Sequence, residues 1–276
     1  MSIVVTGPGF YSHLDESRYH ADDALAPELG RSLSQSGAKT LLKSPEHFDY
    51  ERSHGRPPKD AFDLGTIVHG LTLRGGDNRI RVIDAYDWRA KADQATKKAH
   101  HAAGLVPIHR GDLRQAAKIA QAVLHHPLAR NILAEGEPEV SAYWIDDETG
   151  ITCRARYDWV NPKALVDLKS TRYGSSVPSE FGRSAASFDY PMQAAHYRQG
   201  WHALTGDWLE FLTIAVETEA PYVVSVGRYT DDDLAIGADR MRQARLIYAE
   251  RQSSGQWTDD PQIATFHLPG WYGRTA

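Results

Sequence analysis

The strongest constraint on the fold of this chain is a run of residues, 151–160, in which apolar and polar side chains alternate. The apolar positions are Ile151, Cys153, Ala155, Tyr157 and Trp159. The polar positions include Arg154, Arg156 and Asp158. Successive side chains of a β-strand point to opposite faces of the sheet, so this period of two predicts a half-buried strand. Cys153, on the apolar face, is then expected to be an inert core residue.

The residues that follow predict a hairpin that brings two carboxylates together. A four-residue turn over 161–164 would pair Val160 with Leu165. The same register would make Asp158 face Asp167, with Cβ atoms about 4.5 to 5.5 Å apart. Two carboxylates at that separation repel each other unless a cation lies between them. Mg²⁺ prefers such hard oxygen ligands, so the hairpin predicts a metal site.

A lysine is expected to join the two carboxylates. Lys169 lies two residues beyond Asp167, so strand alternation returns it to the same face, whereas Val166 and Leu168 point into the core. An ammonium group beside a metal can orient the attacking water, or help to deprotonate it, and can offset charge on a phosphate. This chemistry suits phosphodiester hydrolysis. An Asp-x-Lys triplet alone is usually a solvated polar face, and the register with Asp158 makes the two interpretations about equal.

Two further side chains could complete a metal environment. Glu139 begins the strand predicted before the hairpin and could add a third carboxylate. His69 lies on a helix predicted over residues 60–74 and could supply a nitrogen ligand for a second metal. A lone helical histidine is more often a packed or surface imidazole than a metal ligand. Glu139 by itself is an equally weak indication of a metal ligand.

The remaining patterns predict a single α/β domain. Residues 1–33 show no sustained period and predict a partly irregular N-terminal arm, and residues 34–276 form the predicted catalytic domain. That domain has a central mixed sheet flanked by helices, with a helical wall at about 87–135 and a catalytic sheet at about 139–230. Helices are predicted over 60–74, 87–101, 112–133 and 188–204, after Thr230, and as two short helices from Ser36; strands are predicted over 139–145, 165–170, 208–217 and 222–229.

Composition excludes several classes of protein. The single cysteine excludes an intramolecular disulfide, a four-thiolate zinc site and a four-cysteine iron–sulphur cluster. No stretch approaches the roughly 18 to 20 apolar residues of a membrane span, and the N-terminus lacks a signal-peptide pattern. We therefore expect a soluble, cytoplasmic protein. The net charge of -5 argues against indiscriminate capture of nucleic acid, but an acidic metal site can dominate that total without excluding DNA as substrate.

Four segments in a fixed order, over about residues 34–217, together resemble a known family. They are LGTIVHG, EVSAYWIDDETGITCRARYDW, LVDLKST and FDYPMQAAHYRQG. This ordered set resembles the PD-(D/E)xK exonucleases of the RecE type, which are found in phages, prophages and bacteria. The matching positions are Gly65 with His69, Glu139 with Ser141, Arg156 with Asp158, Asp167 with Lys169, and Gln193 with Tyr197.

The resemblance implies a restriction-endonuclease-like fold and a Mg²⁺-dependent deoxyribonuclease, with Mn²⁺ as a substitute. Asp158, Asp167 and the carbonyl of Leu168 would hold a first ion. His69 and Glu139 would complete an environment for two ions per active site, and Lys169 would position the water, as the resemblance implies.

Other residues are expected to contact the DNA. The resemblance implies that Gln193, Tyr197 and Tyr190 line the DNA side of the pocket, although such residues can equally be ordinary helix-packing residues. Strand parity puts Arg154 and Arg156 on the face of Asp158, so they are the best candidates for phosphate contacts. The full set of basic candidates, most of them expected to be solvated surface, is Arg52, Arg56, Lys59, Arg89, Lys91, Lys97, Lys98, Arg110, Arg154, Arg156 and Arg172.

The resemblance also implies a mode of action. Enzymes of this type degrade double-stranded DNA ends from 5′ to 3′, leave a 3′ single strand, and work as rings with a single-strand annealing protein. We therefore expect duplex ends as partners, and a trimeric or tetrameric ring. Two alternatives stay open, a structure-specific or endonucleolytic enzyme on the same scaffold, and an inactive protein that binds DNA ends in a recombination complex.

Overall fold

The computed structural model describes residues 3–22, 24–55, 60–76, 79–84, 88–259, 263 and 265–267. Arg56 and Lys59, which are candidate phosphate contacts, lie outside the described residues, as does the first residue of the helix predicted over 87–101. Within the described ranges, no helix combines the length and the apolar character that a membrane span requires.

The helices and strands follow one another in this order. The N-terminal part contains β1 (Gly9–Tyr11), α1 (Glu16–Ala21), β2 (Leu33–Ser34), α2 (Gln35–Lys43), α3 (Pro45–His54) and α4 (Asp60–Leu73). The middle contains β3 (Ile80–Ile83), α5 (Lys91–Ala102), β4 (Val106–His109), α6 (Arg110–His125) and α7 (Pro127–Ile132). The remainder contains β5 (Glu137–Ile145), β6 (Thr152–Asn161), β7 (Ala164–Thr171), α8 (Pro178–Phe188), α9 (Tyr190–Thr205), β8 (Glu210–Glu217), β9 (Val224–Gly227) and α10 (Asp231–Ser254). The sequence patterns predicted the other elements but not α1, β1, β2, β3, β4 or α8, and they predicted α6 and α7 as one helix over 112–133.

Local sequence fixes several helix ends. Ser44 caps α3 by accepting a hydrogen bond from the backbone N–H of His47, and Pro45 occupies the first turn, where its missing N–H costs nothing. Thr230 caps α10 in the same way, by accepting from the N–H of Asp233. Both caps follow the pattern that the sequence predicts.

The central sheet has seven strands and is mixed. Its order is β1-β5-β6-β7-β8-β9, and β2 pairs with β6 in addition. Strands β7 and β8 are parallel because α8 and α9 form the crossover between them, whereas β5, β6 and β7 form an antiparallel meander. Helices cover both faces, which confirms the predicted fold class. A separate pair of parallel strands, β3 and β4, lies outside this sheet.

Two hydrophobic cores lie on opposite faces of the sheet. One contains Tyr157 and Leu165 and is closed by α2, α9 and α10. The other contains Val166 and Leu168 and is closed by α4 and α6. Strand β7 therefore sends alternate side chains to the two cores, as its sequence predicts, and this alternation leaves Asp167 on the side of α9.

The alternation predicted for β6 holds up to Tyr157 and then fails. Cys153, Ala155 and Tyr157 are fully buried in the core under α9, but Trp159 packs against the core of the opposite face. The prediction that Trp159 shares their face was therefore wrong. Glu139 lies across from Asp158 in the β5–β6 register and adopts a left-handed φ of 57°, which interrupts extended geometry at this point.

The N-terminal segment lies on the edge of the sheet. Strand β1 pairs with β5, and Tyr19 of α1 packs edge-on against Tyr143 at 6.3 Å between ring centroids. Val5, which is fully buried, pairs with Leu25 in an isolated bridge. The residues that we expected to form a partly irregular arm thus contribute β1, α1, a short 3-10 helix at Pro27–Leu29 and the first residue of β2, between irregular stretches.

Substitution by alanine is expected to have opposite effects on stability at two helical glycines. A Cβ on Gly237 of α10 would lie 2.4 Å from the carbonyl oxygen of Pro191, so α10 approaches α9 as closely as only glycine permits. We expect Gly237→Ala to lower the free energy of unfolding by about 1–3 kcal/mol. A Cβ on Gly182 of α8 meets no atom within 4 Å, so Gly182→Ala should raise it by about 0.5–1 kcal/mol. Urea unfolding measures both, and equal effects would contradict the packing argument.

Candidate active site

Asp167 is the most enclosed acid of the candidate site. Its side chain is 2% exposed, and Lys169 donates from Nζ to both carboxylate oxygens, at 3.0 Å to Oδ1 and 2.8 Å to Oδ2. Gln193 on α9 donates from Nε2 to Oδ1 at 2.7 Å. The contact with Lys169 follows from strand alternation, whereas the contact with Gln193 depends on the packing of α9 on the sheet. Three residues that the sequence selected therefore meet in one cluster.

Asp158 joins this cluster from the neighbouring strand. The predicted pairing of Val160 with Leu165 is confirmed, but the ladder of paired residues ends one step short of the two acids. Asp158 accepts instead, at Oδ2, a hydrogen bond of 2.8 Å from the backbone N–H of Leu168. The carboxylate of Asp158 is thus fixed at the β7 backbone, at the residue that follows Asp167.

His69 reaches the same point from α4. Its Nε2 lies 2.9 Å from the carbonyl oxygen of Leu168, so this nitrogen carries the proton of the hydrogen bond. Its Nδ1 lies 3.6 Å from Oδ2 of Asp158. The histidine therefore touches both the acid and the main-chain carbonyl that the resemblance selects.

Glu139 and Arg156 form an ion pair beside these groups. The Nε of Arg156 donates to Oε2 of Glu139 at 2.8 Å, and its Nη1 donates to Ser141 Oγ at 2.8 Å and to the carbonyl oxygen of Leu14 at 3.0 Å. Arg154 is also engaged internally, in an ion pair with Asp22. Both arginines lie on the same face as Asp158, as predicted, and their guanidinium groups donate hydrogen bonds to other protein groups.

The two tyrosines of α9 lie on different sides of the cluster. Tyr197 packs against Tyr157 with ring centroids 5.3 Å apart, and burial raises its pKa well above the ordinary value. Tyr190 lies with its ring 4.9 Å from Nζ of Lys169. Tyr197 also lines the cleft at the site together with Gln193, whereas Tyr190 contacts the lysine of the site but does not line that cleft.

A cleft of about 950 Å³ opens onto the site. His69, Glu139, Asp158, Lys169 and Gln193 line it, as do residues that the sequence patterns did not select. They include Glu16, Tyr19, His20 and Asp22 from the N-terminal segment, Ser34 to Gly37 at the start of α2, and Glu51 and Arg74. Arg52, a candidate phosphate contact, lines the cleft as well. The N-terminal residues show no periodicity, so no pattern in the sequence could have placed them beside the cleft.

Comparisons with known proteins are consistent with this arrangement. The profile of a family described as "PDDEXK-like domain of unknown function (DUF3799)" matches residues 34–259. The chain belongs to this family. Curated proteins give no significant sequence match. Among solved structures, a candidate exonuclease from Eubacterium rectale is 18% identical, with a TM-score of 0.61 over 89% of this chain and 88% of that chain, which supports the shared fold.

Two further solved structures are more distant. A phage-related exonuclease from Haemophilus somnus is 13% identical, with a TM-score of 0.35 over 82% of this chain and 96% of its own. An alkaline exonuclease from Laribacter hongkongensis is 14% identical, with a TM-score of 0.31 over 70% of this chain and 93% of its own. These scores are too low to support an argument. Family and fold together support a nuclease.

Burial controls the charges in this PDDEXK-like site. Burial raises the pKa of Asp158 to about 7; the nearby His69 opposes this rise and the charge of Asp167 adds to it. Burial alone would lower the pKa of Lys169, but the carboxylates of Asp167 and Asp158 outweigh it and hold that pKa above its ordinary value. Lys169 is therefore a permanent cation in the metal-free protein, and Asp158 gains and loses its proton near neutral pH.

The raised pKa predicts a pH-dependent effect of Asp158→Asn on stability. Folding raises the pKa of Asp158 from 3.8 to about 7, so ionisation destabilises the metal-free fold increasingly as pH rises through this window. Relative to wild type, Asp158→Asn should gain about 2 kcal/mol of unfolding free energy between pH 5 and pH 8. Denaturant unfolding in EDTA measures this. Asp147→Asn, on an exposed turn, is the control, and parallel pH profiles of Asp158→Asn and wild type would refute the prediction.

The donors gathered in the PDDEXK-like site fit a divalent cation. The carbonyl oxygen of Leu168 is a hard oxygen ligand, and Nδ1 of His69, the ring nitrogen that does not carry the proton, lies 3.6 Å from Oδ2 of Asp158. Asp158 and Asp167 add carboxylates on the same side. Among the residues that the structure describes, no three His, Cys, Asp or Glu side chains are already grouped as a metal cage. Water and the Leu168 carbonyl would therefore complete the coordination, as Mg²⁺ prefers.

Proposed function

We propose that this protein is a metal-dependent deoxyribonuclease that hydrolyses phosphodiester bonds at the ends of duplex DNA. One observation supports it above all: Asp167, which is buried, meets the half-buried Asp158 and Lys169 in one cluster at a cleft, in a chain of the PDDEXK-like family. Two carboxylates around a cation, with an ammonium group beside them, are the groups that phosphodiester hydrolysis requires.

The metal would be held by Asp158, Asp167 and the carbonyl of Leu168, with His69 at the same carbonyl. When bound, it supplies a Lewis acid for the phosphate and lowers the pKa of a bound water. A second ion near Glu139 belongs to the proposal, with Mg²⁺ as the natural ion and Mn²⁺ as a substitute.

Lys169 would orient the attacking water and offset the charge that develops on the phosphate. Because the pKa of Lys169 is raised, its ammonium group holds its proton and donates hydrogen bonds. The raised pKa supports an orienting and charge-balancing role for Lys169 over the role of a base. Gln193 donates to Oδ1 of Asp167 and so fixes the direction of that carboxylate, which is itself buried.

The action on duplex ends, from 5′ to 3′, is the part of the proposal that rests on resemblance to the RecE type. A trimeric or tetrameric ring and an annealing protein that takes up the 3′ strand belong to the same part. An endonucleolytic enzyme on the same scaffold is the rival.

End-labelled linear duplex tests the proposal. With Mg²⁺, the 5′ label should leave as short products before the 3′ label, and closed circular DNA should stay intact. Release of the 3′ label first would overturn the polarity, and nicked circles would favour the rival. If neither substrate is cut with Mg²⁺ or Mn²⁺, the nuclease assignment fails and the inactive DNA-end binder replaces it.

A further inference from the structure

Three aromatic rings lie together where α8 meets α9. Tyr190 packs almost parallel to Phe181, at 5.9 Å between centroids and 25° between planes, and almost parallel to Phe188, at 5.6 Å and 21°. Phe181 and Phe188 are seven residues apart on α8, which is two helical turns, so both lie on the helix face towards Tyr190. We refer to Phe181, Phe188 and Tyr190 as the aromatic stack.

The aromatic stack is continuous with the candidate active site. The ring of Tyr190 lies 4.9 Å from Nζ of Lys169, and Lys169 donates to Asp167. A nucleotide whose phosphate is at Lys169 would therefore have aromatic rings one side chain away. At the outer end of the stack, Phe188 is 55% exposed, so one ring surface is available to a partner.

Five positive side chains lie in or contact the segment that carries the aromatic stack. They are Lys39, Lys169, Arg172, Arg183 and Arg240. Three of them are balanced by acids, since Lys169 pairs with Asp167, Arg183 with Glu180 and Arg240 with Asp189. Lys39 donates to the carbonyl of Phe188, which brings its ammonium group to the exposed end of the stack. A cation at this end suits the phosphates of a polyanion.

We propose that the aromatic stack binds unpaired nucleobases of the DNA strand whose phosphate occupies the site at Lys169. The proposal rests on the proposed function for the identity of the ligand. Every nucleobase has a flat π face, so such a surface would accept any sequence, and cations beside it would meet the phosphates. At a duplex end, the terminal bases of this strand would then be unpaired from the complementary strand and stacked on Phe188.

Binding under non-cleaving conditions tests this inference. Duplexes with a short single-stranded end, labelled with 2-aminopurine near the terminus, are titrated with protein in Ca²⁺ in place of Mg²⁺. We expect Phe188→Ala and Phe188→Leu to weaken binding about tenfold and to abolish the stacking-dependent quenching, and Phe188→Tyr to behave as wild type. Trp208→Ala is the control, because Trp208 is also 55% exposed and lies outside the segment. Unfolding curves of each variant confirm that the fold is retained.

An abasic oligonucleotide completes the design. Replacing the terminal bases by abasic sites should weaken binding to wild type about tenfold and should cause no further loss with Phe188→Ala. Wild-type binding by Phe188→Ala or Phe188→Leu, no effect of the abasic sites, or no measurable binding by wild type would overturn the inference. If wild type cuts DNA but ignores these changes, only the inference fails. If binding depends on the ring and the bases but no DNA is cut, only the nuclease proposal fails.

Discussion

Replacing Asp167 by asparagine is expected to lower the rate of DNA hydrolysis about a thousandfold or more. Asparagine keeps the shape of the side chain but removes the charge that would hold the cation, and it leaves the Lys169 ammonium without its ion-pair partner at 2.8 Å. Loss of a metal's electrostatic assistance is worth several kcal/mol, and about 4 kcal/mol corresponds to a thousandfold in rate. Release of label from linear duplex in Mg²⁺ measures the effect.

The matched control for this variant is Asp147→Asn, on the exposed turn between β5 and β6. It removes the same charge from the chain without touching the cluster, so its rate should equal that of wild type. Unfolding curves must show that Asp167→Asn is folded under the assay conditions. If the folded Asp167→Asn protein keeps more than a tenth of the wild-type rate, Asp167 is not a metal ligand of the reaction.

Replacing Arg154 by methionine is expected to lower the free energy of unfolding by about 3–5 kcal/mol. Nη1 of Arg154 lies 2.5 Å from Oδ1 of Asp22 and donates to Ser32 Oγ at 2.6 Å, and the two ion-paired side chains are 10% and 9% exposed. Methionine fills similar space but leaves the Asp22 carboxylate buried without its counter-ion. Denaturant unfolding at pH 7 measures the loss.

A second substitution separates this role from a contact with DNA. Asp22→Asn in the Arg154→Met background removes the unpaired charge, so part of the lost stability should return. Arg242→Met is the control, because the ion pair of Arg242 with Glu148 is solvent-exposed and should contribute nothing measurable. If Arg154→Met unfolds like wild type and only its affinity for DNA falls, Arg154 is a phosphate contact, as its strand position first suggested.

The two arginines of β6 join the N-terminal segment to the sheet that carries the site. Arg156 joins Glu139 to the carbonyl of Leu14, and Arg154 joins the sheet to Asp22. The Arg154–Asp22 ion pair and the hydrogen bond from Arg156 to Leu14 hold the N-terminal segment against β6, and residues of that segment form one wall of the cleft. The cleft is therefore built in part by residues that carry none of the recognised motifs.

The sequence by itself determined the two strands of the β6–β7 hairpin, the pairing of Val160 with Leu165, and the ion pair of Asp167 with Lys169. These features depend on neighbours in the chain, because alternation in a strand and a short turn fix which side chains share a face. The sequence also offered His69 as a candidate ligand and the resemblance added Gln193, and the contacts of both with the hairpin span long separations in sequence.

Only the tertiary structure decided the rest. It turned Trp159 to the opposite face at the distortion beside Glu139. It also committed Arg154 to an ion pair with the distant Asp22, and Arg156 to an ion pair with Glu139 on the neighbouring strand. It also raised the pKa of Asp158 by burying it. The physical reason is the same in each case: ion pairing and burial depend on which segments pack together, and a local pattern of residues does not encode that.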